Sequence, residues 1–548
     1  MAGIQLGGLV SGFDTTSMVE SLMQVEQLKV DKVQQQKIKV QWQKEAYVEV
    51  SDRYSDFILK MRDTFGISNS ISSHGLTRPS TMNNLSWVNK ANSSNSNILE
   101  AKVLSEAKPG KYEVKVNQLA DNFKTASAAN VSQKKDGANL SEQLGLDPDL
   151  DIDLEISNGK DKITIQGKAK DLTMDELVKQ INGLSGVSAS YDKSIDRFFI
   201  QTTETGADHQ LTIKDNTGTN GGEMLKALKL DSSITNGQTY AGQNAKIDFN
   251  GAKDIEFSSN TFHLQGIEFS LKNSDVNETV TVNVETDVDA VVDKVKTFVD
   301  EYNKLITDIG SILGEAAYRD YAPLTDAQKE NMTEKQIELW EEKAKSGLLR
   351  NDSIISMIQQ NIKSAMLQDV VLSDGTKLNL NSIGIQTKQY SSASTSGELQ
   401  IDEEKLRAAI NNNPSGVLEL FFATPSDSDL NTSDRNLSTS QIQKKREQCG
   451  LFNRITDVMV NGISQIINKA GTGESANNYR KLNTFIMLDF TASGSKSLLD
   501  NRILDINNRI TTLNTRMTAM EARYWSKFTA METALAKLQG QQSMFFNV

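Results

Sequence analysis

LDNRILDINNRITTLNTRMTAMEARYWSKFTAMETALAKL, residues 499–538, carries its apolar side chains at Leu499, Ile503, Ile506, Ile510, Leu513, Met517, Met520, Tyr524, Phe528, Met531, Leu535 and Leu538. The steps between them alternate four and three, broken once by two successive fours around Tyr524 and Phe528. An apolar repeat of about 3.5 residues keeps one seam of a helix turned toward a partner helix, and an inserted step locally relaxes the winding. Gly494 and Gly540 bracket the run, and no Gly or Pro interrupts it. A helix lying on a globular core would show the same chemistry over a shorter span, so the uninterrupted length favours a coiled coil. The seam cannot be buried alone. The remainder of the chain is read for its partner.

Composition narrows the function classes. A chain of 548 residues has room for roughly three or four domains. Lys+Arg 59 against Asp+Glu 71 gives a net charge of -12, the wrong sign for generic nucleic-acid binding. Cys449 is the single cysteine, so neither an intrachain disulfide nor a thiolate metal site is available. His74, His209 and His263 lie far apart and show no metal-ligand spacing; no cofactor is expected. No run approaches the ~18 apolar residues of a membrane span. No basic stretch followed by an apolar run marks a cleaved signal, which leaves the cytoplasm or an export route that removes none. The prolines fall between Pro79 and Pro425, leaving both ends free for long helices.

The N-terminal residues 1–13 are Gly-rich. Asp14 to Ser17 are good helix caps, and Ser17 with Glu20 has capping-box spacing. A helix is expected to about Asp63, roughly 70 Å long at about 1.5 Å per residue. Val19, Leu22, Val33, Val40, Tyr47 and Tyr54 are its candidate seam positions. Gln34, Gln35 and Gln36 make the middle polar, a weak seam alone but a plausible partner for the strong C-terminal one.

Residues 66–97 read as linker. Period-two alternation then appears in ILEAKVLSEAKPGKYEVKVNQLA, DLDIDLEI, KITIQG and RFFIQTT, and again in AKIDFNGAKDIEF and ETVTVNVETD, with Asn-Gly turns. Leu150, Ile152, Leu154 and Ile156 read as the inward side of an edge strand whose acids face out. From Val288 the period returns to helical. Thr325 with Gln328 and Thr333 with Gln336 predict two short capped helices. A helix over 353–368, a helix before a Pro-Gly break at 414, and a helix resuming near Gln441 complete the reading.

No catalytic or nucleotide-binding motif stands out in the sequence. There is no Walker sequence or ordered GxGxxG. Asp147, Asp149 and Asp151 alternate like a calcium loop, but Ile152 stands where Gly is required and Asn158 where Glu is required. No Ser/His/Asp or Cys/His set can be assembled. The chain is not expected to be an enzyme.

The ends carry a resemblance. GLVSGFDTTSMVESLMQVE, with Gly8, Leu9, Ser11, Gly12 and Asp14 at the motif positions, resembles the opening of the flagellar filament-capping proteins, hook-associated protein 2 (FliD). SNTFHLQGIEFSL followed by DVDAVVDKVKTFVDEYNKLI is similar to that family's strand-to-helix junction, and YAPLTDAQKENMTEKQIELWEEKAKSGLLRND to its next helical block. RYWSKFTAMETALAKLQGQQSMF looks like its C-terminal signature, and SGVSASYDKSIDRFFIQTTETGAD like a module shared with flagellins and hook proteins.

The resemblance implies an α+β multidomain chain: long terminal helices paired as a coiled coil, a helical middle domain and two inserted β-rich domains. The boundaries expected are 1–65 with 451–548 for the leg, 66–110 with 287–450 for the middle domain, 111–150 with 217–286 for one β-rich domain and 151–216 for the second. It further implies a homo-oligomeric cap at the distal tip of the flagellum, outside the cell, that promotes folding and insertion of exported flagellin. Export would proceed unfolded through the flagellar type III channel, with an export chaperone bound beforehand. Some members bind mucus or host surfaces, which nothing in this sequence specifically supports. Leg packing is assigned to Ile503, Ile506, Ile510, Leu513, Met517 and Met520. Tyr524, Phe528, Met531, Leu535 and Leu538 are candidates for contact with flagellin or neighbouring subunits, or for packing within one subunit. The alternatives are another axial protein of the hook–filament junction, or a surface adhesin using the β-rich domains.

Overall fold

The computed structural model describes residues 14–67, 70–71, 77–78, 85–104, 106–135, 138–389, 397–430, 437–482 and 496–546. Helix α1 (Thr15–Phe65) runs 51 residues without Gly or Pro. Its N-cap is Asp14, whose carboxylate accepts from the Ser17 N–H at 3.0 Å and the Ser17 hydroxyl at 2.6 Å. The cap therefore lies three residues before the expected Ser17/Glu20 box. An aspartate serves better here, because it satisfies an orphan amide and meets the positive end of the helix dipole. Gly66, left-handed at φ 65°, ends the helix, and the Ile67 N–H closes on the Arg62 carbonyl at 2.9 Å. A two-strand ribbon follows, β1 (Ser70–Ile71) and β2 (Thr77–Arg78).

The chain then divides into two compact units, 86–287 and the remainder. Unit 86–287 is β-rich and holds two cores. The first belongs to an antiparallel five-stranded sheet: β3 (Asn89–Ser93), β5 (Gly110–Gln118), β13 (Ala245–Phe249), β14 (Ala252–Phe257) and β17 (Val280–Thr286), ordered β14-β13-β5-β17-β3. A three-stranded sheet joins it, β4 (Leu99–Val103) with β15 (Thr261–Leu264) and β16 (Ile267–Leu271). Val114, Val116, Ile247, Phe269 and Val282 from alternate strand positions fill this core. Asn250 and Gly251, at φ 46° and 88°, make the tight β13–β14 turn, the positive-φ pair that a two-residue hairpin requires.

The second core lies within 123–241. There β6 (Lys124–Ala126), β9 (Val187–Asp192) and β10 (Arg197–Thr202) form one sheet. Strands β7 (Asp151–Ser157), β8 (Lys162–Lys168), β11 (Gln210–Asp215) and β12 (Thr239–Ala241) form another. Helices α2 (Leu140–Leu144), α3 (Met174–Ile181) and α4 (Glu223–Ala227) join them, with α3 opened by a Thr173/Glu176 capping box. Ile152, Leu154 and Ile156 face inward, but β7 lies between β11 and β8 and is not an edge strand. Its outward acids are used in cross-strand pairing: Asp151 meets Lys168 at 3.1 Å and Glu155 meets Lys162 at 2.9 Å.

These cores depart from the expected boundaries. Residues 86–110 belong with the β-rich unit, because β3 pairs with β17 and β4 with β16. Residues 131–150 and 217–234 join the core of 151–216 rather than that of 245–284. The segment NKANS, expected as linker, holds no large apolar residue; the β17 ladder makes it a strand.

The other unit is helical. It comprises α1, α5 (Val288–Gly314), α6 (Asp326–Lys329), α7 (Glu334–Lys345), α8 (Ser353–Leu367), α9 (Glu403–Asn412), α10 (Pro414–Phe422), α11 (Thr439–Gln448), α12 (Leu451–Ala470), α13 (Ala476–Leu482) and α14 (Leu498–Phe546), with short strand pairs between α8 and α9. The Thr333/Gln336 box forms in both directions, while at Thr325 the Gln328 side chain accepts the Thr325 N–H at 2.9 Å and the Thr325 hydroxyl takes no part. Pro414 does not merely break a helix. It takes the first position of α10, where a missing N–H costs nothing, behind the Asn413 cap.

The core of this unit gathers on Phe65, the last residue of α1. Its ring stands 4.8 Å from Phe422, 5.5 Å from Phe452 and 6.2 Å from Phe298. Phe421 meets Phe298 edge-on at 5.6 Å. Beside this cluster, the buried Arg454 of α12 donates to the carbonyls of Ala365, Gln368, Asp369 and Cys449 at 2.9–3.2 Å. It caps the C-terminal end of α8, where orphan carbonyls and the negative dipole end favour a cation. Burial lowers its pKa to about 10, so it stays charged at neutral pH.

Phe65→Ala is expected to cost about 3–5 kcal/mol, the usual loss for truncating a buried aromatic. In calorimetry the transition of the helical unit should move down while that of 86–287 stays in place. An unchanged helical transition would show that the cluster does not organise this unit.

Candidate assembly surface

Helix α14 begins beside the middle of α1, where Lys44 Nζ meets Asp500 Oδ1 at 2.5 Å. The α14 N-terminus is itself built by Asp500: its carboxylate accepts the Ser497 hydroxyl at 2.8 Å and the Ser497 N–H at 3.1 Å, while Ser497 Oγ accepts the Asp500 N–H at 3.1 Å. The two helices pack together. The part of α1 preceding Lys44 has Val19, Val30, Val33 and Val40 buried, so α14 runs antiparallel to α1, back along that stretch.

Among the protected positions of α1, one row runs Val19, Met23, Glu26, Val30, Val33, Lys37, Val40, Lys44, Tyr47, Ser51 and Tyr54, each buried or half-buried. Their spacing is an unbroken heptad of fours and threes. With Lys44 at Asp500, that register sets Val40 level with Ile503, Val33 with Ile510, Val30 with Leu513, Met23 with Met520 and Val19 with Tyr524. On α14, Ile503, Ile506, Ile510, Leu513, Met517, Met520, Tyr524, Phe528 and Leu535 are half-buried, and Leu499 is buried. Met531 and Leu538 are 38% and 60% exposed. Their level lies past Asp14, the first described residue of the partner helix.

Leu22, expected in the seam, is 41% exposed; Met23 holds that layer. The seam passes through Glu26, Lys37, Lys44 and Ser51, polar residues that hid it from an apolar count. Gly8, Leu9, Ser11 and Gly12 lie outside the described residues, and Asp14 is the α1 cap.

Tyr47 and Tyr54 are buried where α1 enters the globular part. The Tyr47 hydroxyl donates to Asp352 at 2.5 Å, on the carboxylate that also caps α8. One turn on, Asp52 accepts from Tyr479 at 2.8 Å and from Ser475 at 2.8 Å, and Tyr479 lies 2.5 Å from Ser51. Burial is the main cause raising the Tyr47 and Tyr479 phenols above their ordinary range. Arg53 reaches Asp308 of α5 at 2.9 Å, and Lys345 of α7 sits over the Trp42 ring at 4.9 Å. The root of the helix pair is thus held by polar and aromatic contacts, and its length by the seam.

Magnitudes separate these roles. A fully buried Val or Ile contributes about 1.5–3 kcal/mol. A partly exposed pair such as Lys44–Asp500 contributes at most about 1 kcal/mol. The seam supplies cohesion, and the ion pair selects register. Among the described residues no group of three or more His, Cys, Asp or Glu is gathered as a metal would need, and no helix is long and apolar enough to cross a membrane.

The geometry can be set beside known proteins. The sequence model of the flagellar hook-associated protein 2 C-terminus matches residues 242–540, and that of its N-terminus matches residues 11–122. The chain belongs to the flagellar hook-associated protein 2 family. A flagellar hook-associated protein 2 of Halalkalibacterium halodurans is 30% identical, covering 98% of this chain and 98% of that protein. Another, from Escherichia coli K12, is 24% identical over 86% of this chain and 89% of its own. A crystal structure of the flagellar cap protein FliD D1-D2-D3 domains from Escherichia coli covers 77% of this chain and 96% of that one, at 20% identity and TM-score 0.47. The two hook-associated protein 2 models meet both members of the helix pair and leave 123–241 between them. That gap holds the second β-rich core, from Val131 to Ile234.

The Asp500 carboxyl predicts a pH dependence. Burial alone would raise its pKa, but Lys44 and the two Ser497 bonds outweigh this and hold it below the usual carboxylate value. A depressed folded pKa gives stability that is present above the unfolded value and lost as pH falls through the folded one. Asp500→Asn should therefore lower the melting temperature of the helical unit near neutrality and flatten its fall on acidification. Parallel pH–melting curves for the two proteins would contradict this linkage.

Proposed function

We propose that this chain is a structural cap at the distal end of a bacterial flagellar filament, exported and extracellular. The observation that carries the reading is membership of the hook-associated protein 2 family through both ends of the chain, the ends that meet in one helix pair. In this reading copies of the chain assemble into a homo-oligomer. The α1/α14 pair is the leg directed at the filament, and the assembly retains flagellin and promotes its folding and insertion. The role is mechanical rather than catalytic.

The leg would hold its own seam from Ile503 to Met520 inside the subunit. Tyr524 closes the last layer against Val19, and residues from Phe528 to Leu538, with Met531 and Leu538 exposed, would turn toward flagellin or neighbouring copies. The helical unit would supply contacts between subunits, and 86–287 the outward plate. An export chaperone belongs to the same reading, because an unfolded chain leaves the C-terminal seam uncovered. Host ligands would fall to the β-rich unit. The axial-junction and adhesin alternatives are not favoured by the family match.

A strain lacking this chain should release monomeric flagellin into the medium and carry short filaments or none. Complementation with Ile510→Asp/Leu513→Asp should fail, while the purified variant keeps the melting transition of 86–287. Normal filaments without leakage in the deletion strain would refute the cap. Full complementation by the charged variant would refute the leg while leaving the cap standing.

A further inference from the structure

The flanks of the seam carry a pattern that the helix pair itself does not use. Arg502, Arg509, Arg516 and Arg523 recur every seven residues on α14, each immediately before an a-type seam position, and all four are exposed. Seven residues of α-helix rise about 10.5 Å, so the column spans roughly 30 Å. In a coiled coil such flanking positions usually hold charges that choose the partner. Among the described residues none of the four has a hydrogen bond or ion pair. In the register set by Lys44 and Asp500, the α1 side chains across this flank are Gln43, Gln36, Lys29 and Leu22. Not one is a carboxylate, and Lys29 is already paired with Glu26 at 2.8 Å. Asp505 is the one acid on the same side of α14 over this span.

The same side of α1 is apolar at its start. Met18, Leu22 and Val25 are 45%, 41% and 58% exposed, and they border the Arg516–Arg523 end of the column. Opposite them on α14 stand the small residues Thr512, Ala519 and Ser526, which let a further helix approach closely. In a chain of net charge -12, an unpaired basic column beside an exposed apolar strip is a local reversal of both charge and polarity.

We propose that this flank of the leg docks an amphipathic helix of another protein, one that carries carboxylates at seven-residue pitch beside an apolar face. The apolar face covers Met18, Leu22 and Val25, and the carboxylates meet the four arginines in turn. Charge complementarity sets the occupant: across this flank α1 provides no acid and α14 offers only Asp505, while Arg binds carboxylate with a planar fork that fixes register as well as attraction. This deepens the leg reading given above, but its test needs no filament.

The probe is a fluorescent peptide of four Glu-Ile-Ala-Ala-Leu-Glu-Lys heptads, titrated with the full-length chain and followed by anisotropy. The controls are a scrambled peptide of the same composition and polyglutamate. The heptad peptide should bind, more weakly as salt is raised, and at least tenfold more tightly than either control. Replacing all four arginines by Gln should reduce that binding at least tenfold with unchanged helical circular dichroism, and Met18→Ser/Leu22→Ser/Val25→Ser should weaken it independently. Equal binding of the scrambled peptide or polyglutamate would reduce the column to unspecific attraction and overturn the proposal. So would undiminished binding by the Gln variant. Self-association of the wild-type chain that is lost in the Gln variant, with no peptide binding, would assign the flank to a second copy and overturn it equally. Full complementation by the Ile510→Asp/Leu513→Asp chain would count against the leg reading and would leave the peptide binding of the wild-type chain, and with it this proposal, standing.

Discussion

The helical unit depends on a seam whose two halves are separated by some 450 residues of sequence. Neither half is stable by itself. A single amphipathic helix in water gains little from propensity, and its stability comes from burying its stripe. Val33 and Ile510 are therefore meaningful only as a pair, and everything between them has to fold in a way that returns α14 to α1. The inserted elements comply because each closes its own core. The β-rich unit does so through antiparallel ladders between segments as distant as β5 and β17, and the helical unit through the aromatic cluster at Phe65. Family membership at both termini agrees with this economy, since the matched regions 11–122 and 242–540 contain the seam and the layers nearest to it.

Much of this was legible in the sequence, and the failures have identifiable causes. The α14 stripe was readable because its a and d positions from Leu499 to Leu538 are all apolar. The α1 stripe was read one residue off at Leu22, because Glu26, Lys37, Lys44 and Ser51 interrupt the apolar signal while still occupying seam positions. Long side chains such as Lys37 and Lys44 can lay their methylenes across a seam and keep their charge in water, which no hydrophobic count detects. Strand β3 was invisible for a different reason: NKANS has no apolar alternation, and only the ladder to β17 makes it a strand. The acids of β7 were read as edge protection, yet they pair with lysines on β8 in an interior strand. Thr325 and Thr333 both stand at the helix starts their spacing with Gln328 and Gln336 predicts, because that signal is local and does not depend on tertiary context.

Polar chemistry in this molecule is concentrated where elements change direction. Asp352 and Asp500 each satisfy a helix end and at the same time receive a side chain from a distant element, and Asp52, inside α1, receives two from the turn that opens α13. Arg454 does the same with four carbonyls. Such groups add little net stability compared with apolar burial, but leaving one unpartnered is costly. Their effect is to select one arrangement of helices over others of similar hydrophobic content.

The uninterrupted course of α1 has a mechanical consequence. One helix reaches from the first seam layer at Val19 to the aromatic cluster at Phe65, and it contains none of the Gly, Pro or π-bulge features that localise bending. It behaves as a stiff lever roughly 75 Å long at about 1.5 Å per residue. A small tilt imposed at its free end cannot be absorbed along the way, so it arrives as strain among Phe65, Phe298, Phe422 and Phe452. Dense aromatic packing resists gradual deformation and shifts between discrete arrangements instead. The residue that terminates the helix is thus also the point at which a load on the leg would be felt by α5, α10 and α12 together.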